Sequence, residues 1–263
     1  MTPRPFDDDQ FPIVVAHRGA SSTHPENTLP AFEAAIELGA PVVELDVRLS
    51  SDGHPIVMHD ADVSRTTDGE GLVHDLSLDD LRRLNAGSPS SPTPIPRVGE
   101  VLELASGRAG VAIEIKNLPG DPGYEPDGEA IVDAALAELE RTAFEGPVLV
   151  VSFNPRSIAH AGRASADVVT GLLVTDAVSP ADALSFAVAE GHAFLLPGSR
   201  GLLAGGLGVV DAAHEAGVRL GTWTVDDEPT FSLLLDAGLD AVATNDPAMG
   251  LRVLGHEGRP ADA

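Results

Sequence analysis

Residues 13–60 read IVVAHRGASSTHPENTLPAFEAAIELGAPVVELDVRLSSDGHPIVMHD, and this stretch decides the fold. An apolar run ends at His17, a helical pattern with one apolar stripe follows over 28–39, and a second apolar run carries Glu44 and Asp46. This order predicts a strand, a helix and a second strand. The polar residues fall near strand ends, which is where α/β proteins hold their chemistry.

The same alternation continues to residue 244, where the last predicted strand finishes the fold. Strands are predicted at residues 13–16, 42–47, 56–58, 111–115, 148–152, 168–174, 194–196, 219–224 and 241–244. Helices between most of them indicate a parallel sheet, either a closed TIM-type (β/α)8 barrel or an open doubly wound sheet. A barrel needs eight strands, so 56–58 or 194–196 would lie outside it. The chain has neither a glycine-rich dinucleotide motif nor a P-loop, which weakens the open-sheet interpretation.

Residues 61–96 interrupt this alternation. They contain the turn-rich segment SRTTDGEG, one short helix predicted at 78–84, and the loop SPSSPTPIP. We interpret them as an insertion after the third strand that forms a cap or lid beside the site, although a passive surface excursion fits the same pattern. A length of 263 residues suits one barrel domain over residues 1–263.

The composition excludes several classes of protein. Apolar residues make up 43% and charged residues 22%, as in globular proteins, and cysteine is absent, so thiolate metal sites are excluded. The net charge is −25 and the 16 Lys and Arg residues are scattered, which argues against a nucleic-acid partner. No segment is long and apolar enough for membrane insertion, and acidic residues replace a signal peptide, so we expect a cytoplasmic protein. Nothing in the composition points to a particular oligomeric state.

Three carboxylates are candidates for a metal site. Glu44 and Asp46 lie two residues apart on a predicted strand and therefore project from the same face. Glu114 stands two residues before Lys116 on the next strong strand, in IEIKN. If both strands line one barrel mouth, the three carboxylates form an all-oxygen site suited to Mg²⁺ or Ca²⁺. In the alternative interpretation, Glu114 and Lys116 only pair with polar neighbours at a strand end.

Two histidines and two cations accompany these carboxylates. His17 and His59 both end predicted strands, and hydrolysis of a diester requires two proton transfers that two histidines could share. Three carboxylates with one divalent cation carry −1, and Arg18 with Lys116 brings the sum to +1, which one phosphodiester group would neutralise. Trp223, the only tryptophan, is either a core residue or an apolar wall for a substrate.

The series of short motifs resembles one known family. HRG, PENT, ELDV, a strand ending in HD, RTTDG, IEIK, VSF, WTV and ATNDP occur in the order found in the glycerophosphodiester phosphodiesterase family, over about residues 13–250. The resemblance implies a TIM-type barrel that hydrolyses glycerophosphodiesters to sn-glycerol 3-phosphate and an alcohol with a divalent cation. It also implies a place in lipid and glycerol metabolism, and an insertion at 61–96 that covers the site.

The resemblance further implies a role for each candidate residue. His17 and His59 match the general acid/base pair, Glu44, Asp46 and Glu114 match the metal ligands, Arg18 and Lys116 match the phosphate-binding positions, and Asn27 and Trp223 match residues near the metal and the substrate. Two other classes of function stay open on the residues alone. One is a catalytically silent barrel that binds phosphoesters or metal, and the other is a lyase or aldolase, which would need Lys116 as a Schiff-base lysine.

Overall fold

The chain forms a closed barrel of eight parallel strands, as seen in a computed structural model that describes residue 6 and residues 10–255. The strands are β1 (Ile13–His17), β2 (Val42–Leu49), β3 (Pro55–Val57), β4 (Gly110–Ile115), β5 (Val148–Ser152), β6 (Val169–Val174), β7 (Phe194–Pro197), β8 (Arg219–Thr222) and β9 (Ala241–Thr244). Pairing of β1 with both β2 and β9 closes the barrel. The short strand β3 pairs antiparallel with β2 and lies outside it. The TIM-type prediction is therefore confirmed, and 56–58 is the candidate outside the barrel.

Helices follow the barrel strands. They are α1 (Leu29–Glu37), α2 (Leu78–Leu81), α3 (Val98–Ala105), α4 (Ala130–Thr142), α5 (Pro155–Ala164), α6 (Pro180–Glu190), α7 (Ser199–Gly205), α8 (Val209–Glu215), α9 (Glu228–Asp236) and α10 (Pro247–Val253). The hydroxyl of Thr28 accepts a hydrogen bond from the Ala31 amide at 3.4 Å and starts α1 as the sequence predicted. Helix α10 was not predicted from the sequence; it begins after Asp246, whose carboxylate accepts a hydrogen bond from the Met249 amide at 3.0 Å.

Alternation along the strands divides the core into two layers. On β5, Val148 and Val150 point outward and pack with the helices, whereas Leu149 and Val151 point into the barrel. The interior layer is apolar and made of residues from most of the strands: Ile13, Val42, Ala112, Leu149, Val151, Leu173, Phe194, Leu196 and Ala241. This layer fills the barrel below its carboxyl end, so the polar residues are confined to the mouth.

Strand register brings the candidate polar residues together at the mouth. His17 on β1 lies beside Glu44 on β2, and Asp46 on β2 lies beside Glu114 on β4. Register partners on parallel strands project to the same side of the sheet, and so do residues two apart on one strand. All four side chains therefore point into the barrel. Because β3 lies outside the barrel, the next barrel strand after β2 is β4, which pairs with β2 directly.

The insertion at 61–96 packs around an apolar cluster that it shares with the β3 segment. It contains two single-turn 3-10 helices, Val63–Arg65 and Val73–Asp75, and the short helix α2. The buried cluster joins Ile56 and Met58, at β3 and just after it, with five residues of the insertion: Val63, Val73, Leu81, Ala86 and Ile95. The helix predicted at 78–84 ends at Leu81, and Ser77 caps it as expected. Because this cluster fixes its backbone, the insertion can hold its surface side chains in defined positions.

Candidate active site

The three candidate carboxylates converge at the mouth of the barrel. Glu44, Asp46 and Glu114 each offer an oxygen, and these oxygens lie within 4.8 Å of one another. All three side chains are buried, with exposures of 6%, 0% and 7%. Three carboxylates this close repel each other strongly unless cations lie among them. The predicted triad is thus assembled by the fold, and its stability depends on the neighbouring cations.

Two cationic side chains lie against the triad. The Lys116 ammonium contacts Asp46 Oδ1 at 2.9 Å and Glu114 Oε1 at 2.5 Å. Arg18 Nε lies 3.1 Å from Asp46 Oδ2. Asp46 is therefore held between two cations, whereas Glu44 has no side-chain cation in direct contact among the described residues. The positive charge is concentrated on one side of the triad.

Glu44 has an incompletely satisfied carboxylate. Its Oε2 accepts a hydrogen bond from the backbone amide of Arg18 at 2.9 Å. Its Oε1 is buried and has no hydrogen-bond partner within residues 10–255. A buried oxygen without a partner is costly. This oxygen is therefore available to a cation placed between the three carboxylates.

The turn after β1 has an unusual backbone conformation that directs two of its groups toward the triad. Arg18 and Asn27 both adopt a left-handed conformation at φ 57°, which is uncommon for residues other than glycine and marks functional segments. That backbone directs the Arg18 amide to Glu44, while Asn27 Nδ2 donates to Asp46 Oδ2 at 2.8 Å. Asn27 is buried, and it contacts the triad rather than the cavity.

Burial and neighbouring charges give the three carboxylates of the triad different pKa values. Burial, reinforced by Asp46, raises the pKa of Glu44 to about 8. Burial also raises the pKa of Glu114 to about 7. Burial acts in the same direction on Asp46, but Lys116 and Arg18 outweigh it and hold the Asp46 pKa below its ordinary value. Near neutral pH only Asp46 is fully ionised without a further cation, so a divalent ion would bind with release of protons.

His17 lies against the triad, and a hydrogen bond to Nδ1 holds its ring on the side away from the triad. Its Nε2 is 4.0 Å from Glu44 Oε2, and its Nδ1 is 2.7 Å from Asn245 Oδ1. Asp226 accepts from Asn245 Nδ2 at 2.7 Å, which turns the amide oxygen of Asn245 toward the imidazole. His17 therefore donates through Nδ1 and keeps Nε2 as the nitrogen facing the site. Burial, followed by the charge of Arg18, lowers the His17 pKa.

His59 borders the same cavity from the end of β3. Its Nδ1 lies 2.5 Å from Asp60 Oδ1, a geometry that also leaves Nε2 free. Burial lowers the His59 pKa, although the carboxylate of Asp46 opposes this effect. Both histidines are thus neutral near pH 7, and in both a partner on Nδ1 leaves Nε2 as the free nitrogen.

The cavity between these groups is polar at one end and apolar at the other. It measures about 100 Å³ and includes His17, Arg18, Glu44, His59, Glu114 and Lys116 with Val15, Ala112, Leu149, Val151, Phe153, Leu173, Leu196, Thr222, Trp223, Ala241 and Ala243. Trp223 donates its indole N–H to the Leu196 carbonyl at 2.9 Å and meets Phe153 edge to face at 5.4 Å between ring centroids. It therefore lies on the cavity wall as well as against the interior layer.

Three residues that hold the candidate histidines in place were not singled out from the sequence. Asn245 and Asp60 hold the Nδ1 atoms of the two histidines, and Asp226 holds Asn245. The dipeptide His59-Asp60 was a visible signal, since an acidic residue beside a histidine commonly orients its ring. Asn245 lies in the quoted ATNDP motif, but nothing local to it or to Asp226 indicated a contact with His17, because that contact depends on the neighbouring ends of β8, β9 and β1.

No helix within residues 10–255 combines the length and apolar character needed to cross a membrane.

The similarities of this chain to known proteins are consistent with the geometry of the site. The sequence matches the Glycerophosphoryl diester phosphodiesterase family over residues 17–249. A glycerophosphodiester phosphodiesterase of Caldanaerobacter subterraneus is 36% identical over 246 residues, which cover 89% of this chain and 94% of that protein. An Oleispira antarctica phosphodiesterase, solved with the product sn-glycerol-3-phosphate, is 30% identical with a TM-score of 0.84 and coverage of 94% and 98%. A Thermotoga maritima glycerophosphodiester phosphodiesterase structure is 25% identical with a TM-score of 0.74, and the match covers 92% of this chain and 97% of that one.

Proposed function

The chain belongs to the glycerophosphoryl diester phosphodiesterase family, and on that premise we propose that it hydrolyses glycerophosphodiesters to sn-glycerol 3-phosphate and an alcohol in a metal-dependent reaction. The protein is a hydrolase of phosphoric diesters. The observation that carries the metal-dependent part is the convergence of Glu44, Asp46 and Glu114 within 4.8 Å beside His17. The product bound to the Oleispira antarctica phosphodiesterase supports the proposed product.

The residues present suit a divalent cation. Glu44, Asp46 and Glu114 would hold it, and their all-oxygen donor set favours Mg²⁺ or Ca²⁺ over softer metals. The unpartnered Oε1 of Glu44 is explained by such an ion. When bound, the cation would neutralise charge that develops on the phosphoryl oxygens.

Arg18 and Lys116 are the proposed phosphate-binding residues. Both border the cavity and both already contact Asp46, so their positions are fixed before a substrate arrives. Donors that are fixed in advance stabilise developing charge without reorganisation. Burial opposes the charge on Lys116, but Asp46 and Glu114 outweigh it and raise the Lys116 pKa. A lysine held charged in this way is poorly suited to a Schiff base, which argues against the lyase alternative.

His17 and His59 are the proposed acid/base pair. Each presents a neutral Nε2 to the cavity, and the lowered pKa of each ring suits a group that accepts a proton near pH 7. One imidazole would take the proton from the attacking oxygen, and the other, protonated, would deliver one to the leaving alkoxide. Both rings are neutral near pH 7 in the free protein, so the ring that delivers a proton must first gain one. The carboxylate of Asp60 favours the protonated form of His59 more than the neutral amide of Asn245 favours that of His17. We therefore assign proton delivery to His59.

Two further residues have supporting roles in this proposal. Asn27 would orient Asp46 through the bond to its Oδ2, since Asn27 does not border the cavity. Trp223 would form the apolar wall against which the carbon skeleton of the substrate packs. We also propose that residues 61–96 act as a cap within a single catalytic domain, which is supported by the buried cluster that they share with the β3 segment.

Hydrolysis assays with purified protein test the proposal. Glycerophosphocholine, glycerophosphoethanolamine and bis(p-nitrophenyl) phosphate would each be incubated with Mg²⁺, Ca²⁺, Mn²⁺ or EDTA. We expect metal-dependent release of glycerol 3-phosphate, abolished in His17→Ala and His59→Ala proteins that still bind metal, and Glu44→Ala is expected to lose the metal. Absence of metal-dependent product release from every substrate would refute the proposal, and a histidine variant with the wild-type rate would refute the acid/base assignment.

A further inference from the structure

Arg65, in the insertion, connects two carboxylates at the rim of the site. Its guanidinium donates through Nη1 and Nη2 to the two oxygens of Glu26, at 3.0 and 2.8 Å. Its Nε donates to Asp60 Oδ2. Glu26 comes from the turn after β1 and Asp60 from the end of β3. One side chain of the insertion thus joins two segments whose neighbouring residues, Arg18 and His59, border the cavity.

Each of these carboxylates also holds one of the proposed functional residues. Asp60 Oδ1 lies 2.5 Å from His59 Nδ1, and Glu26 Oε1 accepts from Arg18 at 2.9 Å. The hydrogen bond from Arg65, together with His59, lowers the Asp60 pKa to about 2 and keeps it an acceptor. The chain of contacts therefore runs from the insertion through two carboxylates to the cavity.

The backbone that carries Arg65 is fixed by the core of the insertion. Val63, in the same 3-10 turn, is fully buried, and its amide donates to the Gly71 carbonyl at 3.0 Å. Asp62 begins the turn by accepting from the Ser64 amide at 2.8 Å. A fork-shaped guanidinium on a fixed turn can hold two carboxylates in one geometry, whereas a flexible ammonium keeps the charge but holds them less well.

Resting on the proposed function, we propose that Arg65 is a positioning residue that orients His59 through Asp60. Through Glu26, its other partner, it also restrains Arg18. The insertion then contributes to catalysis by fixing the general acid, in addition to covering the site. A half-exposed ion pair contributes little to stability, so the effect of losing Arg65 should appear in turnover rather than in folding.

Arg65→Met tests this assignment, with Arg83→Met as the matched control. Arg83 lies in the same insertion and pairs with Asp80 at 2.7 Å, away from the cavity. We expect Arg65→Met to lower kcat about 10- to 100-fold, as loss of an orienting partner does, without a change in melting temperature or metal affinity. Arg65→Lys should recover part of the rate. The rate losses of Arg65→Met and Asp60→Asn should not add, because both act on one imidazole.

A readout that needs no turnover separates this inference from the proposed function. With ¹⁵N-labelled histidine, NMR should show neutral His59 as the Nδ1–H tautomer, and Arg65→Met should shift it toward a tautomer mixture while His17 is unchanged. If Arg65→Met leaves the His59 signals and kcat as Arg83→Met does, or if its rate loss adds fully to that of Asp60→Asn, the inference is wrong. If the wild-type protein hydrolyses no diester, the proposed function fails, and the tautomer shift still decides the positioning role.

Discussion

Replacing Lys116 by methionine should destabilise the metal-free protein strongly. The ammonium contacts Asp46 at 2.9 Å and Glu114 at 2.5 Å, and its side chain is 4% exposed. Removing one partner of a buried ion pair costs about 3 to 5 kcal/mol. Arg18 still neutralises Asp46 and Glu114 is readily protonated, so we expect about 3 kcal/mol, the lower limit. For a chain of this size that corresponds to a fall in melting temperature of about 6 to 12 °C.

Thermal unfolding in EDTA and in saturating Mg²⁺ or Ca²⁺ measures this effect. A divalent cation in the triad supplies the missing positive charge, so the metal should stabilise Lys116→Met more than it stabilises the wild type. The control is Arg141→Met, which also removes a cation between two carboxylates, Glu103 and Glu138, but at an exposed surface where it should change the melting temperature little. A Lys116→Met protein as stable as the wild type in EDTA, or a difference that metal does not reduce, would refute this reasoning.

Three further substitutions test other parts of the structure. Asn245→Leu removes the partner of His17 Nδ1 at 2.7 Å and should lower kcat about 10- to 100-fold in steady-state kinetics. Calorimetry should show an unchanged metal affinity, and an unaltered kcat would contradict the orienting role. His192 is 4% exposed, and burial lowers its pKa below 6.5, so its neutral form is favoured by folding. The contribution of His192 to the free energy of unfolding is full above pH 6.5 and is lost as pH falls toward the folded-state pKa, with a slope of at most about 1.4 kcal/mol per pH unit. Urea unfolding of His192→Phe at several pH values should therefore show a shallower loss of stability at low pH, and an unchanged slope would contradict this. Gly19→Ala should lose more than about 1 kcal/mol in urea unfolding, because φ is +83° and an added Cβ would lie 2.5 Å from the Ala31 carbonyl carbon; wild-type stability would show that the turn can relax.

The sequence predicted the barrel and the triad for one physical reason. Strand alternation places Glu44 and Asp46 on one face, and the strands of a parallel α/β fold present their polar ends at one edge. It could not establish that Glu114 lies beside Asp46, because that depends on β3 being outside the barrel. The strand candidates 56–58 and 194–196 were equally short, and only the long-range pairing distinguishes them.

The missed features depend on contacts between distant segments. The helix α10 contains Gly250, which weakens its helical signal, yet an added Cβ there would lie 3.0 Å from both Phe231 and Val14. The glycine therefore suits a position that packs tightly against other elements. Asn245 precedes Asp246 and Pro247, a pattern typical of a turn and a helix start, and this local role hid its contact with an imidazole 228 residues away.

The central claim, that the triad binds a divalent cation beside Lys116, has a direct test because Lys116 is the only lysine in the sequence. A protein labelled with ¹⁵N-lysine should show one ammonium signal, since that group is buried between Asp46 and Glu114. A divalent cation in the triad should give a saturable shift of this signal with Mg²⁺ or Ca²⁺ and broadening with Mn²⁺, and neither effect in Glu44→Gln at the same metal concentrations. An ammonium signal unaffected by saturating metal, or shifted equally in Glu44→Gln, would show that the triad does not bind the cation.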